Sequence, residues 1–156
     1  MAVEIERKFL VKDDTWRAQA GPGVRYVQGY LAGNERASVR VRLEGDAARL
    51  NIKSATLGVR RREYEYAIPR EDAEEMLAHL CRRPLIEKLR YHLRHGDHEW
   101  EIDEFLGDNA GLVVAEIELA SEEEPFRRPP WLGEEVSHDP RYYNVNLVDH
   151  PYKDWQ

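Results

Sequence analysis

Cysteine is nearly missing from this chain: Cys81 is the only one among 156 residues. That excludes an intramolecular disulfide and any zinc site built on cysteines. No apolar stretch approaches the roughly 18 residues a membrane-crossing helix needs, and no secretory leader pattern is visible. A cytoplasmic protein with no membrane contact is therefore expected. A basic tail or extended basic run is lacking too, and 30 acidic against 23 basic residues give a net charge of -7. Proteins that follow a phosphate backbone need the opposite balance, so no nucleic-acid partner is expected. There is no glycine-rich loop ending in Lys-Ser or Lys-Thr and no nucleophile turn, which argues against P-loop and serine-hydrolase chemistry. The histidines His79, His92, His95, His98, His138 and His150 show no metal-ligand spacing.

What the chain does have is charge, 34% of its residues, where about 25% is usual. The length fits a single domain, 1–156, with one sizeable core. Alternation with period two dominates the pattern and predicts strands near 2–11, 25–32, 36–44, 47–54, 60–68, 85–94, 98–106 and 112–120. Gly33-Asn34, Gly45-Asp46 and Gly96-Asp97 fall between alternating runs, as hairpin loops do. One helix is predicted over Arg70–Cys81, after Pro69, with Ala73, Met76, Leu77 and Leu80 at helical spacing. Asp13 to Ala20 reads as a short helix or turn capped by Asp13 or Asp14. The tail, 121–156, is predicted as short helices because it carries Trp131, Tyr142, Tyr143, Tyr152 and Trp155. It either closes one end of the fold or packs a homodimer.

About eight antiparallel strands and few helices predict a mainly β fold, an eight-stranded antiparallel barrel whose interior holds side chains or one small ligand. Alternation alone leaves open which face lines the interior. The polar phase is nevertheless unusual. It runs Glu4, Glu6, Lys8; Arg40, Arg42; Arg49, Asn51, Lys53; Arg61, Glu63, Glu65; Lys88, Arg90; Glu101, Asp103; and Glu116, Glu118. Almost every position is ionisable, with both signs present, whereas a solvated face normally includes Thr, Ser and Gln. A charged interior accounts for this better than solvent exposure does, because confined charges demand partners.

Carboxylates two apart on one strand share a face about 6–7 Å apart, within reach of one cation. Glu4/Glu6 and Glu116/Glu118 would make an all-oxygen site, suited to Mg²⁺ or Mn²⁺. A single Glu-x-Glu is common on solvated strands; several pairs on one phase are not. Arg40, Arg42, Lys53, Lys88 and Arg90 lie on three separate strands, and such convergent bases hold a chain of phosphates. Structural ion pairs with the carboxylates are the alternative use for the same groups.

The opening Glu4-Ile-Glu-Arg-Lys8-Phe-Leu-Val resembles the Glu-x-Glu-x-Lys signature of the CYTH family, the triphosphate tunnel metalloenzymes. Arg40-Val-Arg42, Asn51-Ile-Lys53, Arg61-Arg-Glu63-Tyr-Glu65, Lys88-Leu-Arg90-Tyr, Trp100-Glu-Ile-Asp103 and Ala115-Glu-Ile-Glu118 follow in the order of its bacterial members. The resemblance runs from residue 2 to about 120. It implies a charged tunnel and a metal-dependent triphosphatase, with Glu4, Glu6, Lys8, Glu116 and Glu118 at the catalytic centre. Glu4, Glu6, Glu116 and Glu118 would hold metal, with Glu63 and Asp103 as further candidates. Lys8, Arg40, Arg42, Lys53, Arg61, Lys88 and Arg90 would hold phosphates. Inorganic triphosphate, cleaved to diphosphate and phosphate, is the expected substrate. The family's nucleoside and thiamine triphosphatase and class IV adenylate cyclase activities are alternatives, as is a non-catalytic polyphosphate-binding module.

Overall fold

The computed structural model describes residues 3–55 and 58–155; residue 2 of the first predicted strand and residue 156 of the tail lie outside the described residues. The strands are β1 (Val3–Val11), β2 (Val24–Gly33), β3 (Ala37–Glu44), β4 (Ala47–Ser54), β5 (Arg60–Ala67), β6 (Ile86–His95), β7 (His98–Phe105), β8 (Val113–Glu118) and β9 (Leu132–Glu135). Two α-helices join them, α1 (Arg70–His79) and α2 (Asn144–Asp149). Eight strands, all antiparallel to their neighbours, close in the order β1-β5-β4-β3-β2-β6-β7-β8 and back to β1.

Turn chemistry sets the hairpins. Gly45 and Gly96 take positive φ, 57° and 64°, which glycine reaches without a Cβ clash. At the β2–β3 turn, the Asn34 side chain accepts from the backbone N–H groups of Arg36 (2.8 Å) and Ala37 (3.0 Å), so the side chain mimics a backbone turn. Asp14 takes the N-cap position of the short 3₁₀ turn Thr15–Ala18 without a side-chain bond, and Asp13 Oδ1 accepts from Thr15 N at 2.9 Å just before it. That turn delivers Trp16, fully buried, to the barrel's outer face against Tyr91.

The seam lies at β1. One edge of β1 pairs with β8 from Glu6 to Leu10. Its other edge pairs first with β5, through Val3–Ile5, and then with β9, through Phe9 and Val11. The strand β9 is an element the pattern did not predict, since four residues behind Pro129-Pro130 are too few to show alternation. Its close approach depends on Gly133, where a Cβ would stand 2.9 Å from the Leu10 carbonyl oxygen.

The apolar phase faces outward and is covered. Ile5, Phe9, Trp100, Ile102 and Ile117 are sealed by Trp16, Trp131 and Leu132. Val41 and Ala48 are sealed by Ala73 and Leu77 of α1. Leu80, predicted for that apolar stripe, is 65% exposed, because α1 stops at His79 and the chain turns away. A third cluster fills one end of the barrel. Tyr30, Ile86, Phe105 and Val114 pack there on Tyr142, Leu147 and Val148 of the tail. The remaining interior is charged, so the tail closes one end and leaves the end marked by the β3–β4 and β6–β7 turns open.

Candidate active site

The polar phase encloses a cavity of about 320 Å³. Glu4, Glu6, Glu44, Glu63, Glu65, Glu101, Glu116 and Glu118 line it together with Lys8, Arg40, Arg42, Arg49, Lys53, Arg61, Lys88 and Arg90. The strand period produces this directly, since every second side chain of each strand points inward. The outward Arg7 confirms the phase, reaching away from the cavity to donate to Glu135 of β9 at 2.9 Å.

The acidic wall is built by three neighbouring strands. Glu6 stands opposite Glu118 and Lys8 opposite Glu116 across β1 and β8, and Glu101 of β7 stands opposite Glu116. One carboxylate oxygen each of Glu6, Glu101 and Glu116 lies within 4.8 Å of the other two. Burial, and then the Glu6 carboxylate, push Glu116 up to about 7. Burial and Glu4 raise Glu6, and burial and Glu116 raise Glu101 against the opposing pull of Arg90. Glu4 is raised by burial despite Lys53, whose Nζ is 3.5 Å away. Glu118, more exposed, is raised in the same sense. Like charges held this close in a poorly hydrated site disfavour full ionisation. Three converging oxygens, with Arg90 3.3 Å from Glu101 at their edge, form a donor set that a hard divalent cation fits.

The basic side divides into committed and available groups. Asp103 is fully buried behind the wall and does not line the cavity. Its carboxylate accepts from Lys88 Nζ (2.7 Å) and from Arg90 Nε (2.7 Å) and Nη2 (2.8 Å). Burial opposes its ionisation, yet Arg90 and Lys88 overcome that and hold it well below the usual carboxylate range. Arg42 pairs with Glu44 and with Glu65. Lys53 sits 3.3 Å from Glu63, and Asn51 donates to Glu63 and Glu65 at 3.1 and 2.8 Å. Burial opposes the ionisation of Glu63, but Lys53, a hydrogen bond with Glu4 and Arg40 together outweigh it and lower the group. Lys8, Arg40 and Arg61 have no carboxylate within ion-pair distance among the described residues, and the buried Nε of Arg40 has no hydrogen-bond partner. Cations without an ion-pair partner in a cavity open at one end are suited to an anion from outside.

Of the residues singled out from sequence, Glu4, Glu6, Glu63, Glu116, Glu118, Lys8, Arg40, Arg42, Lys53, Arg61, Lys88 and Arg90 converge on this cavity, and Asp103 stands apart. Glu101 takes the place beside Glu6 and Glu116. Its signal was present, since it shares the polar phase of β7 with Asp103. Tyr143, Asn144 and Val145 of the tail also line the cavity, and no periodic signal in the sequence could have placed them there.

The family model of the CYTH domain matches residues 2–152 of this closed antiparallel barrel; the chain belongs to that family. An inorganic triphosphatase of Acetivibrio thermocellus is 49% identical over 156 residues, covering 100% of this chain and 99% of that protein. One from Nitrosomonas europaea is 37% identical over 149 residues, covering 93% and 96%. Among solved structures, the crystal structure of the inorganic triphosphatase NE1496 aligns with a TM-score of 0.65 at 35% identity, over 92% of this chain and 96% of that one.

Proposed function

We propose that this chain hydrolyses inorganic triphosphate to diphosphate and phosphate with the help of a divalent cation, Mg²⁺ or Mn²⁺. The observation that carries the reading is one cavity holding both the Glu6–Glu101–Glu116 cluster and the uncompensated cations Lys8, Arg40 and Arg61. Relatives named inorganic triphosphatase at 49% and 37% identity support it. No helix of the described residues is long and apolar enough to cross a membrane; the cytoplasm is the compartment we assign.

Phosphoryl transfer asks a protein mainly for positioning and charge stabilisation. Lys8, Arg40, Arg42, Lys53, Arg61, Lys88 and Arg90 would hold the phosphates and neutralise charge on the transferring oxygens, and their fixed geometry costs no reorganisation during reaction. Glu6, Glu101 and Glu116 would hold the cation, with Glu4, Glu63 and Glu118 shaping the charge around it. A bound divalent cation supplies counter-charge to the phosphate oxygens and a more acidic water. Organic triphosphates fit less well. Tyr26 stands beneath Arg42 and Arg90, their guanidinium carbons 5.3 and 4.9 Å from its ring centre, and Tyr30 belongs to the apolar floor, so neither face is open to stack on a base.

Phosphate release from triphosphate, ATP and thiamine triphosphate, measured with and without Mg²⁺ or Mn²⁺, tests the reading. Triphosphate should be turned over fastest, only with metal, and Glu116→Gln should lower the rate by about 10²-fold or more. Equal rates in wild type and variant, independent of metal, would overturn it.

A further inference from the structure

The tail residue Tyr143 meets two of the three uncompensated cations. Lys8 Nζ lies 5.7 Å from the centre of its ring and the Arg61 guanidinium carbon 5.3 Å from it. These are cation–π distances, and such contacts strengthen when the cation is shielded from water. The ring itself is fixed at its far end: Tyr143 Oη donates to the Ser137 carbonyl (2.8 Å) and accepts from Gly58 N (3.1 Å). Tyr143 is 8% exposed and lines the cavity. Lys8 and Arg61 come from strands on either side of the β1–β5 seam, and carboxylates do not tie them. Two like charges aimed at one small volume would otherwise swing apart or toward the acidic wall. A second tether acts on Lys8 alone, since its Nζ also donates to the Tyr142 carbonyl at 3.1 Å.

We propose that Tyr143 is a positioning residue for phosphate binding. The electron-rich ring holds both Lys8 and Arg61 at the closed end of the cavity, so that both meet the same end of the bound polyanion. This rests on the reading of the cavity as a triphosphate site. The tail is then part of the binding site as well as a cap. A fixed aromatic face suits this role better than a carboxylate would: it orders the cations without neutralising the charge that the phosphates need.

Steady-state kinetics on triphosphate test it. Tyr143→Leu should raise KM about tenfold with kcat changed less than about threefold, as the loss of two partly shielded cation–π contacts implies. Tyr143→Phe should recover most of that rise, because it keeps the ring and loses only the two hydrogen bonds. A role in packing alone predicts that Tyr143→Leu lowers the melting temperature without the rise in KM, and that result would overturn the proposal. Should the leucine variant not fold, phenylalanine at 143 carrying one to five fluorines keeps the ring and its shape while draining its face. KM should climb with fluorine number, and a flat series would also overturn the proposal. Turnover by the wild type separates the two questions, since a wild type inactive on triphosphate would fail the reading of the site before Tyr143 is reached.

Discussion

Glu101 and Asp103 stand two residues apart on β7 and belong to the same polar phase, but their cross-strand partners differ. Asp103 lies in register with Arg90, and Glu101 lies in register with Glu116 on one side and His92 on the other. The first register gives a fully buried ion triad with Lys88 and Arg90; the second gives a half-buried carboxylate beside Glu6 and Glu116 that keeps one looser contact with Arg90, at 3.3 Å. Removing one partner from a buried ion network leaves the others uncompensated. Asp103→Asn should therefore lower the unfolding free energy by about 3–5 kcal/mol in urea titrations. Glu101→Gln should change stability by less than about 1 kcal/mol and weaken Mn²⁺ binding, read by calorimetry, about tenfold or more. The reverse pattern, with Asp103 governing Mn²⁺ and Glu101 governing stability, would contradict these assignments. The sequence could not separate the two, because alternation reports which face a residue takes and says nothing about which neighbour meets it.

At the scale of elements, the eight barrel strands and α1 were legible because each has enough residues for a period to show. The tail was not. Short helices are predicted there, and α2 and two 3₁₀ turns (Pro140–Tyr142 and Tyr152–Asp154) match that kind of structure, but β9 has four residues and no alternation to read. Its placement depends on close backbone approach at Gly133 and on the pair Arg7–Glu135. Arg7's hydrogen bond, above all, holds the Glu135 carboxyl below its usual range. Gly133→Ala puts a Cβ against the Leu10 carbonyl, a backbone atom that cannot rotate aside. The substitution should cost about 1–3 kcal/mol of stability in chemical denaturation. It should also loosen the tail, seen as faster amide exchange at Val136 and Ser137. Unchanged stability with unchanged exchange would mean that β9 contributes little to closing the seam.

For the whole molecule, the decisive feature is an interior whose charges are balanced only in part by the protein itself. An apolar barrel interior would have been the simpler solution to folding, and here Trp16, Trp131, α1 and the tail cover the outside so that the inside can stay ionic. The consequence for stability is a pH dependence with a definite sign. Glu116 titrates near 4.5 when unfolded and near 7 when folded, so the metal-free native state binds more protons than the unfolded chain between those values. Stability must then rise as pH falls from about 7 towards 5, and Glu4, Glu6, Glu101 and Glu118, all raised, act in the same direction. Lowered carboxylates such as Asp103, Glu63 and Glu135 act in the opposite sense but only below their ordinary range, and Lys88, lowered to about 8, does so only above that value. Metal-free protein should melt higher at pH 6 than at pH 8, and Glu116→Gln should flatten that difference. A bound cation needs its carboxylates ionised, so binding expels protons. Saturating Mn²⁺ should consequently reverse the order, with the higher melting temperature at pH 8. Calorimetric titration in two buffers of different ionisation enthalpy would count the protons released. Identical heats in both buffers near pH 6, or a pH slope untouched by Glu116→Gln, would show that these carboxylates are already ionised in the empty cavity.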